Sequence, residues 1–489
     1  MSIAKNNYPL SAQAAYVFIG KSFSFVLAIF IPIILVRIFS KENYGVYQQM
    51  LLVSMLFVDT IKWGLINSLY YFYPLEKEKQ TEILSQTFYL LAIIGIIFFP
   101  VLYILRYSIA DLFNSPVIIT LIFPICFYFF FMLTSLILDS LFILEKKSRV
   151  VVIYEITNKT LRGLFVIGTA IVFKDVYYVL WSLAIFAFIR FSTLYIYMRK
   201  NYGIQLSKIE IPLLKSQLRY AFPIGSARMV GEIGKKVDKF ILAAFLTPAH
   251  FAAYSIAHLG VPIIDLFYSS VSQVVIPQMT IKKKADDLAE IKRLWHKMID
   301  QFSLVTIPVV IFLGLLAKSI IILLFTNQYI NSVPVYRIFL LIIMIHILNP
   351  SVVLRACKKT KTIFISHLFS MITAIILSYI LIQNYGMIGG AVSFILSSLV
   401  RTLIQVKKVK EILSLSLLSL LPWHNMLKIF LFSLIAAIIP IIIVNQSMNE
   451  FMTIIFSGIG FALILLSFYF YTGIIKHQKV IEFARSVVR

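Results

Sequence analysis

The feature that most constrains this chain is the recurrence of long apolar segments separated by short polar connections. Residues 23–38, 88–105, 117–144 and 451–475 are apolar over most of their length. A helix rises 1.5 Å per residue, so about 20 apolar residues cross the hydrocarbon core of a bilayer. Hydrophobic residues make up 60% of the chain, against roughly 45–50% in soluble domains. The expected fold class is an all-α polytopic membrane protein.

The expected spans cover residues 11–38, 45–73, 86–105, 117–144, 151–173 and 177–198. A second set covers 217–246, 251–279, 299–325, 333–356, 362–383 and 387–407, and an added pair covers 428–444 and 451–475. That gives about fourteen helices. Grouped by position, they form an N-terminal six-helix lobe (1–200), a C-terminal six-helix lobe (201–410) and an interfacial segment with an additional helix pair (411–489). The first span carries Lys21, is longer than the apolar core of a signal peptide and has no small-residue cleavage site after it. It is expected to stay in the protein.

The net charge of +24 raises nucleic acid as a partner, but the placement of the cations argues against it. One set of loops holds groups such as Lys146, Lys147 and Arg149; Lys282, Lys283 and Lys284; and Lys407, Lys408 and Lys410. The alternate loops hold only Arg37, Lys41, Arg106 and Lys174. Cytoplasmic loops of membrane proteins are enriched in Lys and Arg, so both termini are expected in the cytoplasm. Most of the charge then records topology and attraction to anionic membrane lipids. Two connections, 282–298 and 411–428, are amphipathic and are expected to lie in the membrane interface.

An internal repeat is visible. Residues 34–47 align without gaps with residues 241–254, each an apolar helix end followed by a polar turn and a tyrosine, Tyr47 or Tyr254. The same register places Lys21 on Arg228. An even number of helices per repeat gives both the same orientation, related by an axis along the membrane normal.

Charges inside the apolar segments carry the functional signal, because each costs about 2.5–3.5 kcal/mol at a helix centre on insertion scales. The seventh span reads Arg228-Met229-Val230-Gly231-Glu232-Ile233-Gly234-Lys235-Lys236-Val237-Asp238-Lys239. At 100° per residue, Arg228, Glu232, Lys235 and Lys239 share a stripe of roughly 60° on a continuous helix. Cations outnumber acids there, so internal pairing leaves positive charge over, and a water-filled cationic cavity follows. The plainer account is pairing with acids on neighbouring helices, including Asp59, Asp139 and Glu155. That account is preferred for Lys62 with Asp59 and for Lys159 with Glu155, at i,i+3 and i,i+4 spacing. Arg190 is expected at a helix end or in an interior ion pair.

Other chemistry is not supported. Gly20-Lys21-Ser22 imitates the end of a phosphate-binding loop, but Ala15 stands where the first glycine belongs and no strand precedes it. The histidines have no metal-ligand spacing, and no nucleophile stands beside a base. Catalysis and cofactors are not expected, and neither is a metal site.

Several short stretches carry a family resemblance: residues 35–47 with Glu42-Asn43-Tyr44-Gly45-Val46-Tyr47, residues 215–223, Val237-Asp238-Lys239-Phe240-Ile241-Leu242, and Tyr385-Gly386-Met387-Ile388-Gly389-Gly390-Ala391. In these the chain resembles the polysaccharide-export branch of the multidrug, oligosaccharidyl-lipid and polysaccharide exporter superfamily. It departs from that pattern at Phe251-Ala252-Ala253-Tyr254, which lacks the usual glycine before tyrosine.

The resemblance implies a flippase of the bacterial plasma membrane. Two lobes would rock around a central cavity and move an undecaprenyl-diphosphate-linked oligosaccharide from the inner to the outer leaflet. Lys21 and Arg228 are then expected to hold the diphosphate, with Lys235 and Lys239 extending the path; Asp59, Lys62, Glu232 and Asp238 belong to the cavity or to ion pairs. The implied partners are the lipid-linked oligosaccharide and membrane lipids, with a polysaccharide polymerase and glycosyltransferases in the same pathway. A peptidoglycan-precursor flippase, a multidrug antiporter of the same fold and a membrane polysaccharide polymerase stay open as rivals.

Overall fold

The computed structural model describes residues 29–472, apart from 63, 146, 204–208, 235, 260–261, 417–418 and 447. Among them the regular structure is helical throughout. The chain begins with α1 (Ile29–Ile38). It continues through α2 (Lys41–Ile61), α3 (Leu65–Leu75), α4 (Gln80–Ile104), α5 (Arg106–Leu112), α6 (Ile118–Leu144), α7 (Ser148–Phe173) and α8 (Val176–Tyr202). Next come α9 (Ile211–Gly234), α10 (Val237–Phe245), α11 (Pro248–Ala257), α12 (Pro262–Lys284), α13 (Leu288–Leu315) and α14 (Ala317–Phe325). The last are α15 (Val333–His346), α16 (Ser351–Ala356), α17 (Thr360–Ile412), α18 (Trp423–Ala436), α19 (Ile438–Val444) and α20 (Glu450–Tyr471).

Eight helices among the described residues are long and apolar enough to cross a membrane, or nine if α2 and α3 form one bent span. The protein is a multi-pass membrane protein. α7 and α9 have 26 and 24 residues, but charges interrupt their apolar runs. The first expected span lies mostly outside the described residues, so the figure of about fourteen remains an expectation.

The helices pack as two compact units. One holds the chain up to Ser255 together with His367–Phe394; the other holds Ile256–Ser366 and the chain from Ile395 onward. In the first unit α6 is the central helix, packing along α2, α3, α4, α7 and α8. Phe123, Phe127 and Phe131 recur every fourth residue and form one ridge of α6. Phe127 meets Phe99 of α4 and Trp181 of α8 at centroid distances of 5.1 and 5.6 Å, and Phe131 meets Phe188 at 5.1 Å. Such pairs contribute about 0.5–1.5 kcal/mol each beyond area burial. That matters in lipid, where apolar burial drives helix association only weakly.

The first repeat motif has a local physical cause. Ser40 caps α2 by accepting from the Asn43 N–H at 3.2 Å. Tyr44 and Tyr47 are buried behind it. A Cβ on Gly45 would lie 1.9 Å from the Pro248 carbonyl oxygen, so α2 touches the start of α11 backbone to backbone. Only a residue without a side chain fits there. In the second repeat Ala252 and Ala253 are buried as they stand.

The two spans expected at 362–383 and 387–407 are the arms of α17. Its backbone leaves helical geometry at Gly386 (φ 55°, ψ −132°). Ser378 and Ser393 would sit about 22 Å apart along a straight helix, yet their hydroxyls meet at 2.7 Å. The chain therefore reverses at Gly386, and α17 is a hairpin.

In the second unit the core gathers around α13. Trp295, Phe302 and Tyr268 are buried, and the Trp295 indole N–H donates to the Leu348 carbonyl at 3.0 Å. Two segments expected in the membrane interface contribute to this core. Residues 282–284 end α12, and residues 288–298 open α13, which runs unbroken to Leu315. Ile291, Trp295 and Met298 are core residues, as are Leu420 and Leu421 of the second segment. In both segments these apolar residues pack against protein.

Candidate functional site

The seventh expected span is broken. α9 ends at Gly234 and α10 begins at Val237, so the stripe drawn on a continuous helix does not carry across. Arg228 and Glu232 keep their shared face within α9. Lys239 belongs to the next helix, α10. Lys21 and Lys235 lie outside the described residues.

The break places Lys236 against α2. Asp59, in the last turn of α2, accepts from Lys62 Nζ at 2.7 Å through one oxygen and from Lys236 Nζ at 2.7 Å through the other. The pairing preferred for Lys62 with Asp59 is observed, and Lys236 joins it. All three side chains are less than a third exposed, which lowers the local dielectric and strengthens the ion pairs.

Gly64 brings this cluster close to α9. Its φ of 69° lies in the left-handed region, and a Cβ there would sit 2.5 Å from the Ala221 carbonyl oxygen and 2.9 Å from the Gly225 nitrogen. The start of α3 therefore rests directly on the α9 backbone. Asp59, Lys62, Gly64, Asn67, Gly225 and Arg228 line a small cavity of about 10 Å³, room for about one water. Lys62 and Lys236 thus share one carboxylate, and Arg228 lines the adjoining cavity.

Asp238 and Lys239 stand apart from that cavity. Asp238 is buried in α10 and accepts from the Tyr254 hydroxyl at 2.7 Å, tying α10 to α11. Lys239 is half-buried beside it and makes no ion pair among the described residues. Arg190 of α8 grips both carboxylate oxygens of Asp139 on α6, at 2.9 and 3.0 Å. This is an interior ion pair, as expected.

Lys159 does not form the expected pair with Glu155 among the described residues. It faces a larger cavity of about 130 Å³, lined by Ile31, Pro32, Leu35, Tyr47, Gln48, Leu51, Lys159 and Arg162. The i,i+4 spacing made Glu155 the natural partner. The i,i+3 spacing of Lys159 and Arg162, which sets two cations on one helix face, was the signal that pointed to this pocket.

Comparison with known proteins places these features in a family. A model of the polysaccharide biosynthesis protein family matches residues 34–334. A probable low-salt glycan biosynthesis flippase of Haloferax volcanii is 24% identical over 276 residues, which is 53% of this chain and 57% of the relative. The chain thus aligns with little more than half the length of that relative. Among solved structures, a lipid II flippase MurJ in an inward closed conformation is similar with a TM-score of 0.75 at 18% identity, covering 93% of this chain and 98% of the other. An inward-facing multidrug resistance MATE family transporter of the MOP superfamily is similar with a TM-score of 0.66 at 12% identity, covering 80% and 96%. At such identities these likenesses establish the fold. The family model spans more than half of the sequence and begins where the first repeat motif begins, and the chain belongs to the polysaccharide biosynthesis protein family.

Proposed function

We propose that the protein is a flippase that moves an undecaprenyl-diphosphate-linked oligosaccharide from the inner to the outer leaflet for surface polysaccharide assembly. It would work by alternating access, with two lobes, 1–200 and 201–410, rocking around a cationic path. The observation that carries this reading is the imbalance at Asp59, where one carboxylate is shared by Lys62 and Lys236 and Arg228 lines the adjoining cavity. Charges are expensive in a membrane unless they serve a path or a ligand, and this surplus suits an anionic cargo. A diphosphate accepts charge-assisted hydrogen bonds from ammonium and guanidinium groups. Lys21, Arg228, Lys235 and Lys239 are assigned to that contact, with Asp59 and Glu232 holding the cations in place between transport events. The same surplus argues against a carrier of cationic drugs, which it would repel.

Family membership and the relative named as a glycan biosynthesis flippase support the polysaccharide cargo over a peptidoglycan precursor, which bears the same diphosphate. Deleting the gene tests the reading. Lipid-linked repeat units should accumulate on the inner leaflet, while surface polysaccharide falls at least tenfold. Unpolymerised units reaching the surface would instead identify a polymerase, and altered drug sensitivity alone would identify an antiporter.

A further inference from the structure

We infer that the cavity at Lys159 and Arg162 is a second anion-binding site, built into the first unit away from the Asp59 cluster and able to take a phosphoryl or carboxylate group. Four observations converge on it. The lining contains two cations and no acid. Asp59 has both oxygens engaged by Lys62 and Lys236, and Asp139 has both engaged by Arg190. Glu155, four residues before Lys159, is not part of the lining, and its charge and that of Asp139 reach Lys159 only from outside the cavity, while within it Arg162 hydrogen-bonds Tyr47. The Arg162 Nε is buried with no hydrogen-bond partner among the described residues, and leaving a charged donor so is costly.

Position and size narrow the ligand. Lys159 and Arg162 sit at the middle of α7, about 17–21 Å from either end at 1.5 Å per residue. Ile31, Pro32, Leu35 and Leu51 form an apolar wall, which keeps the local dielectric low and strengthens attraction to an anion. Tyr47 and Gln48 add polar groups on the α2 side. A cavity of about 130 Å³ compares with roughly 10–15 Å³ for one water on the same measure. That is space for roughly nine to thirteen waters, enough for a phosphoryl or carboxylate group together with part of what carries it. Guanidinium binds either oxyanion through a two-pronged contact, and ammonium adds a point charge. Two sources supply this chemistry: a phosphate of the lipid-linked cargo and the carboxylate of an acidic sugar. As a cargo contact the site rests on the transport reading above. As an anion site it does not.

The test is equilibrium binding to the detergent-purified full chain, with inorganic pyrophosphate and glucuronate as separate probes. The charge-removing variant is Lys159→Gln with Arg162→Gln, and the charge-preserving variant is Lys159→Arg with Arg162→Lys. The expected result is at least tenfold weaker binding of one probe by the first variant and retention within about threefold by the second. Weakening for pyrophosphate identifies a phosphate site, and weakening for glucuronate identifies a carboxylate site. Wild-type affinity for both probes in a first variant that elutes as folded protein overturns the proposal, as does absence of binding by the wild type. If the first variant does not fold, Lys159→Gln alone must still weaken one probe at least threefold; unchanged binding overturns the proposal. Surface polysaccharide is measured alongside. Normal export with lost binding separates failure of the cargo role from failure of the site.

Discussion

At the residue scale, Asp59 and Gly45 show how single positions hold this fold in lipid. Asp59 satisfies two ammonium groups from different helices, so Asp59→Asn leaves both without their counter-charge. Stripping one partner from a buried pair costs about 3–5 kcal/mol, and the partial exposure here reduces that to about 1–3 kcal/mol. A lowered thermal transition of the purified protein would show it. Adding Lys236→Met to Asp59→Asn should recover part of the loss, because the second change removes the stranded charge. Gly45 makes a contrasting case. Gly45→Ala forces a methyl onto the Pro248 carbonyl, and overpacking of this kind typically costs about 1–3 kcal/mol. Gly168→Ala in α7 meets nothing within 4 Å, and should be neutral or slightly stabilising because alanine is the better helix former. Matched thermal melts of the two variants check the pair, and equal destabilisation would refute the packing explanation of the motif glycine.

At the scale of elements, the breaks matter more than the helices. Apolar length made most spans legible, including α4, α6, α8 and the two arms of α17. The spans expected at 362–383 and 387–407 leave a short connection between them, and Gly386 supplies the backbone conformation that makes the turn. Gly386→Ala should cost about 1–3 kcal/mol, because φ 55° with ψ −132° is strained for any residue with a side chain. Lower yield of folded protein at equal synthesis is the expected sign. The break between Gly234 and Val237 was not legible. Its residues keep helical spacing through Arg228, Glu232 and Lys239, and periodicity says nothing about where a helix stops when no proline marks the place. Trp295 misled in the same way. An apolar stripe beneath basic residues looks alike whether it faces headgroups or a protein core, and only the surrounding helices decide. Lys159 went to Glu155 for want of knowledge that α1 and α2 wall off a cavity on its other side.

At the scale of the whole molecule, an all-helical membrane chain with surplus cations in its spans belongs to a family described by polysaccharide biosynthesis. The loop charges predict its orientation. A cysteine placed at Lys283 should react with a membrane-impermeant thiol reagent only from the cytoplasmic side, and one at Asn114 only from outside. The reverse pattern would invert the topology and with it the direction of transport. The central claim is that cations within the spans carry an anionic lipid-linked saccharide across the membrane. Its most direct measurement is the transfer rate of a fluorescent isoprenyl-diphosphate-linked oligosaccharide between the leaflets of proteoliposomes holding the full chain. The wild type should move it at least tenfold faster than Lys21→Gln combined with Arg228→Gln, reconstituted at equal amount and orientation. Equal rates in the two, or no transfer above protein-free vesicles by the wild type, would contradict the account.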